Sequence, residues 1–236
     1  MAEETLPLLR KDRLSSGIKT LDMILEGGFI RPSTILLMGP SGNEKQCFAA
    51  HFVKAGLDEG ETVIYITTDR SPDEIEKAAS GWDLAFKGTG QIFYVDCYSQ
   101  TAVRKEGAQH KANVSMVDGP GALNEISLMI GERLRENEGK KMRVVFHSLS
   151  TFALYNEKGS LFKFLQAMEV RMREANTALL LLVEEGMHDD KFLTTLKHGI
   201  DDEFIIKSGE HDKTINGARL QIPIPIKVGP LGIEVD

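Results

Sequence analysis

The sequence predicts an α/β fold with a mostly parallel central sheet, flanking helices and an antiparallel edge near the carboxy terminus. Up to Gly199, short apolar runs rich in β-branched residues alternate with segments in which apolar residues recur at helical spacing. This alternation favours parallel strands covered on both faces. After Gly199, short strand-like runs follow one another without helices between them, which is typical of antiparallel strands.

The parallel part is predicted from short apolar runs and the helices that follow them. Apolar, β-branched-containing runs predict buried strands at residues 34–38, 63–67, 92–96, 144–146 and 178–183. Apolar residues spaced three or four apart predict helices at residues 45–57, 72–79, 123–137 and 161–175. The first strand ends at Gly39 and the first of these helices follows within a few residues, so the local order is strand, loop, helix.

The carboxy-terminal part is predicted to contain short strands at residues 204–207, 219–222 and 224–228. Pro223 and Pro225 each lack a backbone donor, so they are expected at a sheet edge. Residues 100–114 are polar and without periodicity, which predicts an exposed loop, and residues 1–13 are expected to be an amino-terminal extension. We expect one domain over residues 1–236, since no linker or repeat interrupts the pattern.

Composition limits the classes of partner. The chain has 236 residues, is 42% hydrophobic and carries a formal net charge of −7. An acidic chain lacks the basic footprint that binding to phosphate backbones requires, which disfavours nucleic acid as a partner. No apolar run approaches the ~20 residues that span a bilayer, so no membrane is expected. Two cysteines and no secretory leader predict a cytoplasmic protein with free thiols.

The strand–loop–helix segment carries an altered phosphate-binding loop. The pattern G-x-x-x-x-G-K-[S/T] uses glycine for close backbone approach, lysine for the outer phosphates and a hydroxyl for Mg²⁺. Gly39 and Lys45 are in register here, whereas Glu44 and Gln46 stand at the second glycine and the hydroxyl. The candidate nucleotide-binding residues are Gly39, Pro40, Ser41, Gly42, Asn43, Glu44, Lys45, Gln46 and Cys47.

Glu44 admits two interpretations. A carboxylate at the start of a helix interacts favourably with the helix dipole, so Glu44 is expected in the first interpretation to be a solvated residue. In the second, Glu44 excludes nucleotide, because a carboxylate about 5 Å from a phosphate charge is repelled by roughly 3 kcal/mol at an effective dielectric constant near 20.

Six further segments carry a resemblance to a known family. They are residues 14–22 (LSSGIKTLD), 27–29 (GGF), 65–72 (YITTDRSP), 143–150 (RVVFHSLS), 184–189 (EEGMHD) and 196–199 (LKHG). In this order and at these distances from the loop, they resemble the KaiC-like group of the RecA (P-loop NTPase) superfamily. The resemblance covers residues 14–236 and implies a RecA-like fold with a nucleotide site at the loop.

The same resemblance implies that the reacting positions are altered. His147 stands where the family's Walker B strand has a Mg²⁺-holding Asp, so no metal site is assigned and His147 is expected to be a hydrogen-bonded histidine at a strand end. Asp69 and Arg70 replace paired Glu, which leaves Asp69 as the candidate general base. The segment 219–227 lacks the basic pair of active members. ATP or ADP is therefore expected to bind weakly at best, and Mg²⁺ poorly.

These substitutions predict a KaiC-like pseudo-ATPase that serves as a non-hydrolysing regulatory or assembly subunit. By resemblance, its partners are expected to be copies of itself or an intact family member. Two alternatives stay open: an ATP- or ADP-binding sensor without rapid hydrolysis, and a relative of DNA-repair recombinases.

Overall fold

A computed structural model describes residues 12–99, 111–209 and 213–235. These residues form a ten-stranded sheet with helices on both faces and a separate two-stranded sheet. The elements follow the chain in this order: β1 (Arg13–Leu14), α1 (Lys19–Ile24), β2 (Phe29–Ile30), β3 (Ser33–Gly39), α2 (Glu44–Asp58), β4 (Thr62–Thr67), α3 (Pro72–Gly81), β5 (Gln91–Asp96), β6 (Val114–Met116), α4 (Leu123–Glu136), β7 (Met142–His147), α5 (Leu149–Tyr155), α6 (Lys158–Glu174), β8 (Ala178–Glu184), α7 (Asp190–Lys197), β9 (Asp202–Ser208), β10 (Lys213–Gly217), β11 (Ile224–Gly229) and β12 (Gly232–Val235).

The large sheet confirms the predicted fold class. Its strand order is β12-β11-β10-β9-β3-β8-β7-β4-β5-β6. Neighbours from β9 to β6 pair in parallel, whereas β9, β10, β11 and β12 pair antiparallel. The five predicted parallel strands and the four predicted helices are all present. The sequence therefore predicts both the parallel centre and the antiparallel edge.

The carboxy-terminal strands differ from the prediction in detail. Residues 219–222 are not a strand, because the chain turns after β10 and the Leu220 N–H donates to the Gly217 carbonyl at 2.9 Å. The strand before this turn is β10, which was not predicted. Pro225 lies in β11, and β12 lies outside it, so β11 is not the outermost strand. The pairs between β11 and β12 begin at Ile226, so the absence of a backbone N–H at Pro225 interrupts none of them.

The predicted loop over residues 100–114 lies mostly outside the described residues. Its described end, 111–113, precedes β6, which begins at Val114 and so takes one residue that was assigned to the loop. Arg13, assigned to the amino-terminal extension, belongs to β1 and pairs with Ile30 of β2.

Two apolar cores lie on opposite faces of the sheet. One is formed by α1, α2 and α3 with the inward side chains of β3, β4 and the carboxy-terminal strands. The other is formed by α4, α5, α6 and α7 against β7 and β8. Helix α2 is buried along most of its length because β12 covers its outer side. The first turn of α2 is buried as well, whereas residues 41–43 of the loop before it are exposed.

A buried ion-pair network holds the amino end of the sheet. The Arg143 side chain is fully buried and donates to Glu61 Oε2 at 2.6 Å, to Glu59 Oε2 at 3.1 Å and to the Ser15 and Phe52 carbonyls. Arg31 donates to Glu61 Oε1 at 2.6 Å. These bonds lower the pKa of the Glu61 carboxyl against the effect of its burial. The two charges on Glu61 and Arg143 are thus compensated within the core.

Candidate functional site

The candidate site lies where parallel strands end at the carboxyl edge of the sheet. Strand β3 ends at Gly39, and after a short turn α2 begins at Glu44. Asn43 precedes the helix but makes no side-chain hydrogen bond to its first turn. The first N–H groups of a helix have no acceptor inside the helix, so they form a positive pole at this position. The strand–loop–helix order predicted from the sequence is present.

Lys45 is folded back onto the loop. Its Nζ donates to the Gly39 carbonyl at 3.0 Å, to the Pro40 carbonyl and to Glu184 Oε2 at 3.1 Å. An ammonium group has three donors, and these three acceptors use them all. The Lys45 side chain is only 5% exposed. In this arrangement the lysine neutralises Glu184 and leaves no donor for a phosphate.

Glu44 does not project into solvent, so the expectation of a solvated residue is wrong. The residue is 9% exposed. Its Oε1 accepts a hydrogen bond from Lys213 Nζ of β10, and a Cβ built on Gly42 would collide with its Oε2. The physical reason is the counter-ion: Lys213 lies 169 positions away in sequence and stabilises the carboxylate over the loop. The loop therefore carries a negative side chain where its pattern has glycine.

Two polar atoms on the first turn of α2 have no hydrogen-bond partner among residues 12–99, 111–209 and 213–235. They are Glu44 Oε2 and Gln46 Nε2, and the Gln46 residue is 5% exposed. An unpaired buried polar group costs about 1–3 kcal/mol.

Cys47 follows on the buried face of α2 and is inert. Burial, and secondarily the Glu44 carboxylate, raise the pKa of the Cys47 thiol to about 12. A thiol with this pKa is protonated at neutral pH and is a poor nucleophile. Cys97 is buried as well, and burial raises the pKa of its thiol.

His147 ends β7 and is held by Tyr65. The Tyr65 hydroxyl lies 2.8 Å from His147 Nδ1, and His147 Nε2 lies 3.8 Å from Asp69 Oδ2. Burial lowers the pKa of His147, which favours the neutral imidazole. Asp69, the candidate general base, is 40% exposed in its side chain and has this distant histidine as its neighbour. Imidazole is a poor ligand for Mg²⁺, which prefers oxygen.

The structure adds two residues that the sequence reasoning did not assign to the site. Glu184 ends β8 and forms the ion pair with Lys45, and Lys213 forms the pair with Glu44. Glu184 is further fixed through its backbone N–H, which donates to Ser150 Oγ at 2.8 Å. Its position at a strand end, on the same sheet edge as the loop, was the available signal. For Lys213 the sequence held none, because β10 was not predicted.

The segment 219–227 does not join this site. Arg219 donates to both carboxylate oxygens of Asp202, at 3.2 and 3.0 Å. Asp202 begins β9 and lies opposite Ile35, near the start of β3 and away from Gly39. The structure thus brings together Gly39, Glu44 and Lys45 with Glu184 and Lys213, and it places Arg219 elsewhere.

The residues as arranged do not fit a Mg²⁺–nucleotide complex. The lysine has its donors occupied, Glu44 carries negative charge over the loop, and neither the hydroxyl nor the Walker B carboxylate is present. Among residues 12–99, 111–209 and 213–235, no cluster of three or more His, Cys, Asp or Glu side chains is arranged to hold a metal ion. None of the helices in those ranges is long and apolar enough to cross a membrane.

Comparisons with known proteins agree with the motif order. A UPF0273 protein of Methanopyrus kandleri is 25% identical over 177 residues, which cover 74% of this chain and 67% of that protein. The circadian clock oscillator protein KaiC of Thermostichus vulcanus is 29% identical over 122 residues, which cover 47% of this chain and 24% of KaiC. This chain therefore matches about a quarter of that longer relative.

A solved structure and a family model cover more of the chain. The crystal structure of a KaiC-like protein from Pyrococcus horikoshii superposes with a TM-score of 0.72 and covers 96% of this chain and 99% of that one, at 19% identity, which supports the fold. The family model described as "ATPase: KaiC" matches residues 14–209. With its RecA-like sheet and a phosphate-binding loop in the family's position, the chain belongs to the KaiC family of P-loop ATPases.

Proposed function

We propose that this chain is a KaiC-like pseudo-ATPase that does not hydrolyse ATP and acts as a regulatory or assembly subunit through protein contacts. One observation carries the proposal: the phosphate-binding loop is closed by its own side chains. Lys45 is bonded to Gly39, Pro40 and Glu184, and Glu44 is paired with Lys213. A P-loop enzyme needs that lysine on the β- and γ-phosphates, so the arrangement opposes the reaction at its first step.

The altered base and metal positions support the same proposal. A general base must lie within hydrogen-bond reach of the attacking water, and a hydrolysing site needs a carboxylate to hold the metal's water shell. Here His147 occupies the metal position, and its neighbour Asp69 is 3.8 Å away. Hydrolysis would therefore need a general base other than Asp69 and a metal-holding carboxylate at a position other than 147.

Exposed apolar side chains support action through protein contacts. Leu154 is 67% exposed and Tyr155 is 61% exposed at the end of α5, and Met187 after β8 is 46% exposed. Helix α5 and Met187 both follow strands that end at the carboxyl edge of the sheet. Large exposed apolar side chains of this kind favour a binding surface. We propose that this edge contacts a second copy of the chain or an intact relative.

The setting that we propose is cytoplasmic, with the chain acting as a single domain. Both cysteines are buried free thiols, which suits a reducing compartment.

ATP turnover tests the catalytic half of the proposal. The purified protein is incubated with ATP and Mg²⁺, and phosphate release is followed beside Lys45→Ala. We expect the two proteins to give the same background rate, because Lys45 performs no catalytic role. Turnover by the unmodified protein that Lys45→Ala abolishes would overturn the proposal.

Oligomeric state tests the contact half. Light scattering coupled to size-exclusion chromatography is run on the unmodified chain, on Tyr155→Glu and on the control Ile222→Glu, whose residue is 71% exposed between β10 and β11, at the opposite edge of the sheet. We expect an assembly that Tyr155→Glu weakens and Ile222→Glu does not. If the chain is monomeric alone, the same three proteins are mixed with an intact KaiC-family ATPase. No complex in either format would contradict the assembly role.

The sensor alternative is favoured by one observation, the retained strand–loop–helix with Gly39 and Lys45 in register. Calorimetric titration with ATP and ADP separates it from the main proposal. Saturable binding at micromolar nucleotide without turnover would favour the sensor, and no heat at millimolar nucleotide would eliminate it.

A further inference from the structure

We propose that Glu44 and Lys213 form a latch over the phosphate-binding loop, and that the Glu44 carboxylate and a phosphate group compete for the same place. The inference rests on the proposed function in one respect, that the loop is closed at rest. It goes further by naming what closes the loop and what opens it. The ligand class is a phosphate-bearing anion, from inorganic phosphate to a nucleoside diphosphate.

The position of the carboxylate is the first argument. Glu44 is the first residue of α2, and its Oε2 lies beside Gly42, in the space that a Cβ on that glycine would enter. The motif has glycine at position 44 so that phosphate oxygens can approach the backbone, and Glu44 replaces that glycine here. The carboxylate therefore fills space that the motif leaves open for an anion, at the positive end of a 15-residue helix.

The unpaired atoms are the second argument, independent of the helix end. Within the part of the chain that the structure describes, Glu44 Oε2 and Gln46 Nε2 are both buried without a hydrogen-bond partner, in residues that are 9% and 5% exposed. A phosphate in the loop would accept from the Gln46 amide, and a Glu44 carboxylate that had moved outwards would be solvated. Exchange of the carboxylate for a phosphate would thus satisfy both atoms.

The third argument is that the Lys213 ammonium group can pair either with Glu44 or with an anion bound in the loop. Its Nζ pairs with Glu44 Oε1 while the loop is closed, and its side chain is 40% exposed, so it is not confined by packing. When the carboxylate leaves, the ammonium group stays beside the loop on β10 as a positive charge for the anion. Lys45, which is held by Glu184, need not move for this exchange.

Removal of the carboxylate tests the latch. Binding of inorganic phosphate and of ADP is measured by calorimetry without Mg²⁺, at constant ionic strength, for the unmodified protein, Glu44→Gln and Glu44→Gly. Glu44→Gln retains the shape of the side chain, and Glu44→Gly restores the residue of the motif. We expect affinity for both anions to rise at least tenfold in the two variants. In Glu44→Gly combined with Lys213→Met, we expect most of that gain to be lost.

A charge control separates competition from a general change in potential. Glu185 is an exposed carboxylate at the same sheet edge, and its backbone N–H donates to the Gly39 carbonyl. Glu185→Gln removes one negative charge without touching Gly42, so its affinity for phosphate should stay within about twofold of the unmodified protein, because exposed charges are screened by salt.

Two results would overturn the latch. One is equal affinity of Glu44→Gln, Glu44→Gly and Glu185→Gln, and the other is no binding by any variant that shows an unchanged thermal unfolding profile. Either result leaves the proposed function standing, because neither measures ATP hydrolysis or a protein contact. ATP turnover by the unmodified protein would have the opposite effect: it would overturn the proposed function without deciding between carboxylate and phosphate.

Discussion

Glu44 shows how one residue can change the character of a motif without changing its backbone. The strand, the turn and the helix are all in place, and Lys45 is at its usual point in the sequence. What differs is the charge at the loop, because a carboxylate that is paired with Lys213 lies beside Gly42. The sequence identifies Glu44 as anomalous, but the exposure of its side chain depends on a lysine 169 positions away.

His51 is a second residue whose role is visible only in three dimensions. It lies in α2, and its Nδ1 is 3.0 Å from the Gly17 carbonyl, while the Ile233 N–H donates to Nε2 at 2.8 Å. A carbonyl only accepts, so Nδ1 carries the proton and Nε2 is the acceptor. Burial lowers the pKa of His51. A second proton, on Nε2, would face the Ile233 N–H.

This geometry predicts a loss of stability in mild acid. Because the pKa of His51 is lower in the folded chain than in the unfolded chain, the unfolded chain binds more protons as the pH falls. The stabilisation is complete above the unfolded pKa of about 6.5 and is lost as the pH falls below it towards the folded pKa. His147 and His188 have lowered pKa values and act in the same direction.

Urea unfolding between pH 7.5 and pH 5 would measure this effect. We expect the free energy of unfolding to decrease as the pH is lowered from 7.5 to 5. This decrease should be smaller in His51→Asn than in the unmodified protein. His198→Asn is the control, since His198 is an exposed side chain. A steeper or unchanged dependence in His51→Asn would show that the imidazole is not the group that responds.

At the scale of elements, the sequence predicts what depends on local periodicity. The strands at 34–38 and 178–183 are runs of apolar residues that must be buried on both faces, and the structure confirms them as β3 and β8. The antiparallel edge can be predicted from the sequence only in part. Residues 219–222 have the composition of a strand, yet Arg219 lies in a turn, where its Nη1 donates to both carboxylate oxygens of Asp202. Composition cannot show a partner that the chain meets only after folding.

The same limit applies to the candidate site. The loop residues 39–47 and the strand ends at Asp69 and His147 could be located, because they follow recognisable strands. The ion pairs of Lys45 with Glu184 and of Glu44 with Lys213 could not, since each joins elements that are distant in sequence. Strand order, which decides these neighbours, is set by the packing of the whole sheet.

The network around Arg143 joins β4, β7 and the end of α2, and its removal tests how far those elements depend on one another. Arg143→Met would leave Glu61 buried with Arg31 as its remaining ion-pair partner. Breaking a buried pair by removing one partner costs about 3–5 kcal/mol. We expect a loss of this size in the free energy of unfolding, measured by guanidinium denaturation.

A surface arginine provides the comparison for that measurement. Arg135 is exposed on α4, and its Nε donates to the Gly131 carbonyl at 3.4 Å. Arg135→Met should change the free energy of unfolding by no more than about 0.5 kcal/mol. If Arg143→Met changed the free energy of unfolding as little as Arg135→Met, the network would contribute no stability. The amino end of the sheet would then be held by apolar packing alone.

At the scale of the whole molecule, the acidic charge of the chain limits the partners that it can bind. The net charge is −7. Binding to single-stranded DNA requires a positively charged groove along which the backbone is tracked. The recombinase alternative therefore predicts a surface that this composition does not favour.

Fluorescence anisotropy with a labelled single-stranded oligonucleotide would check this. We expect no saturation below about 100 µM protein at physiological salt, which is the weak end of non-specific binding. Saturation at lower concentration, with an affinity that falls steeply as salt is added, would revive the recombinase alternative. A duplex of the same sequence serves as the comparison.

The position of His51 has a consequence for the order in which the molecule is completed. Its imidazole lies in an early helix, and one of its two hydrogen bonds comes from Ile233, 182 positions further along the chain. During synthesis, α2 is therefore made long before the backbone group that satisfies it. A chain that lacked β12 would leave His51 Nε2 without the Ile233 N–H and would expose the part of α2 that β12 contacts.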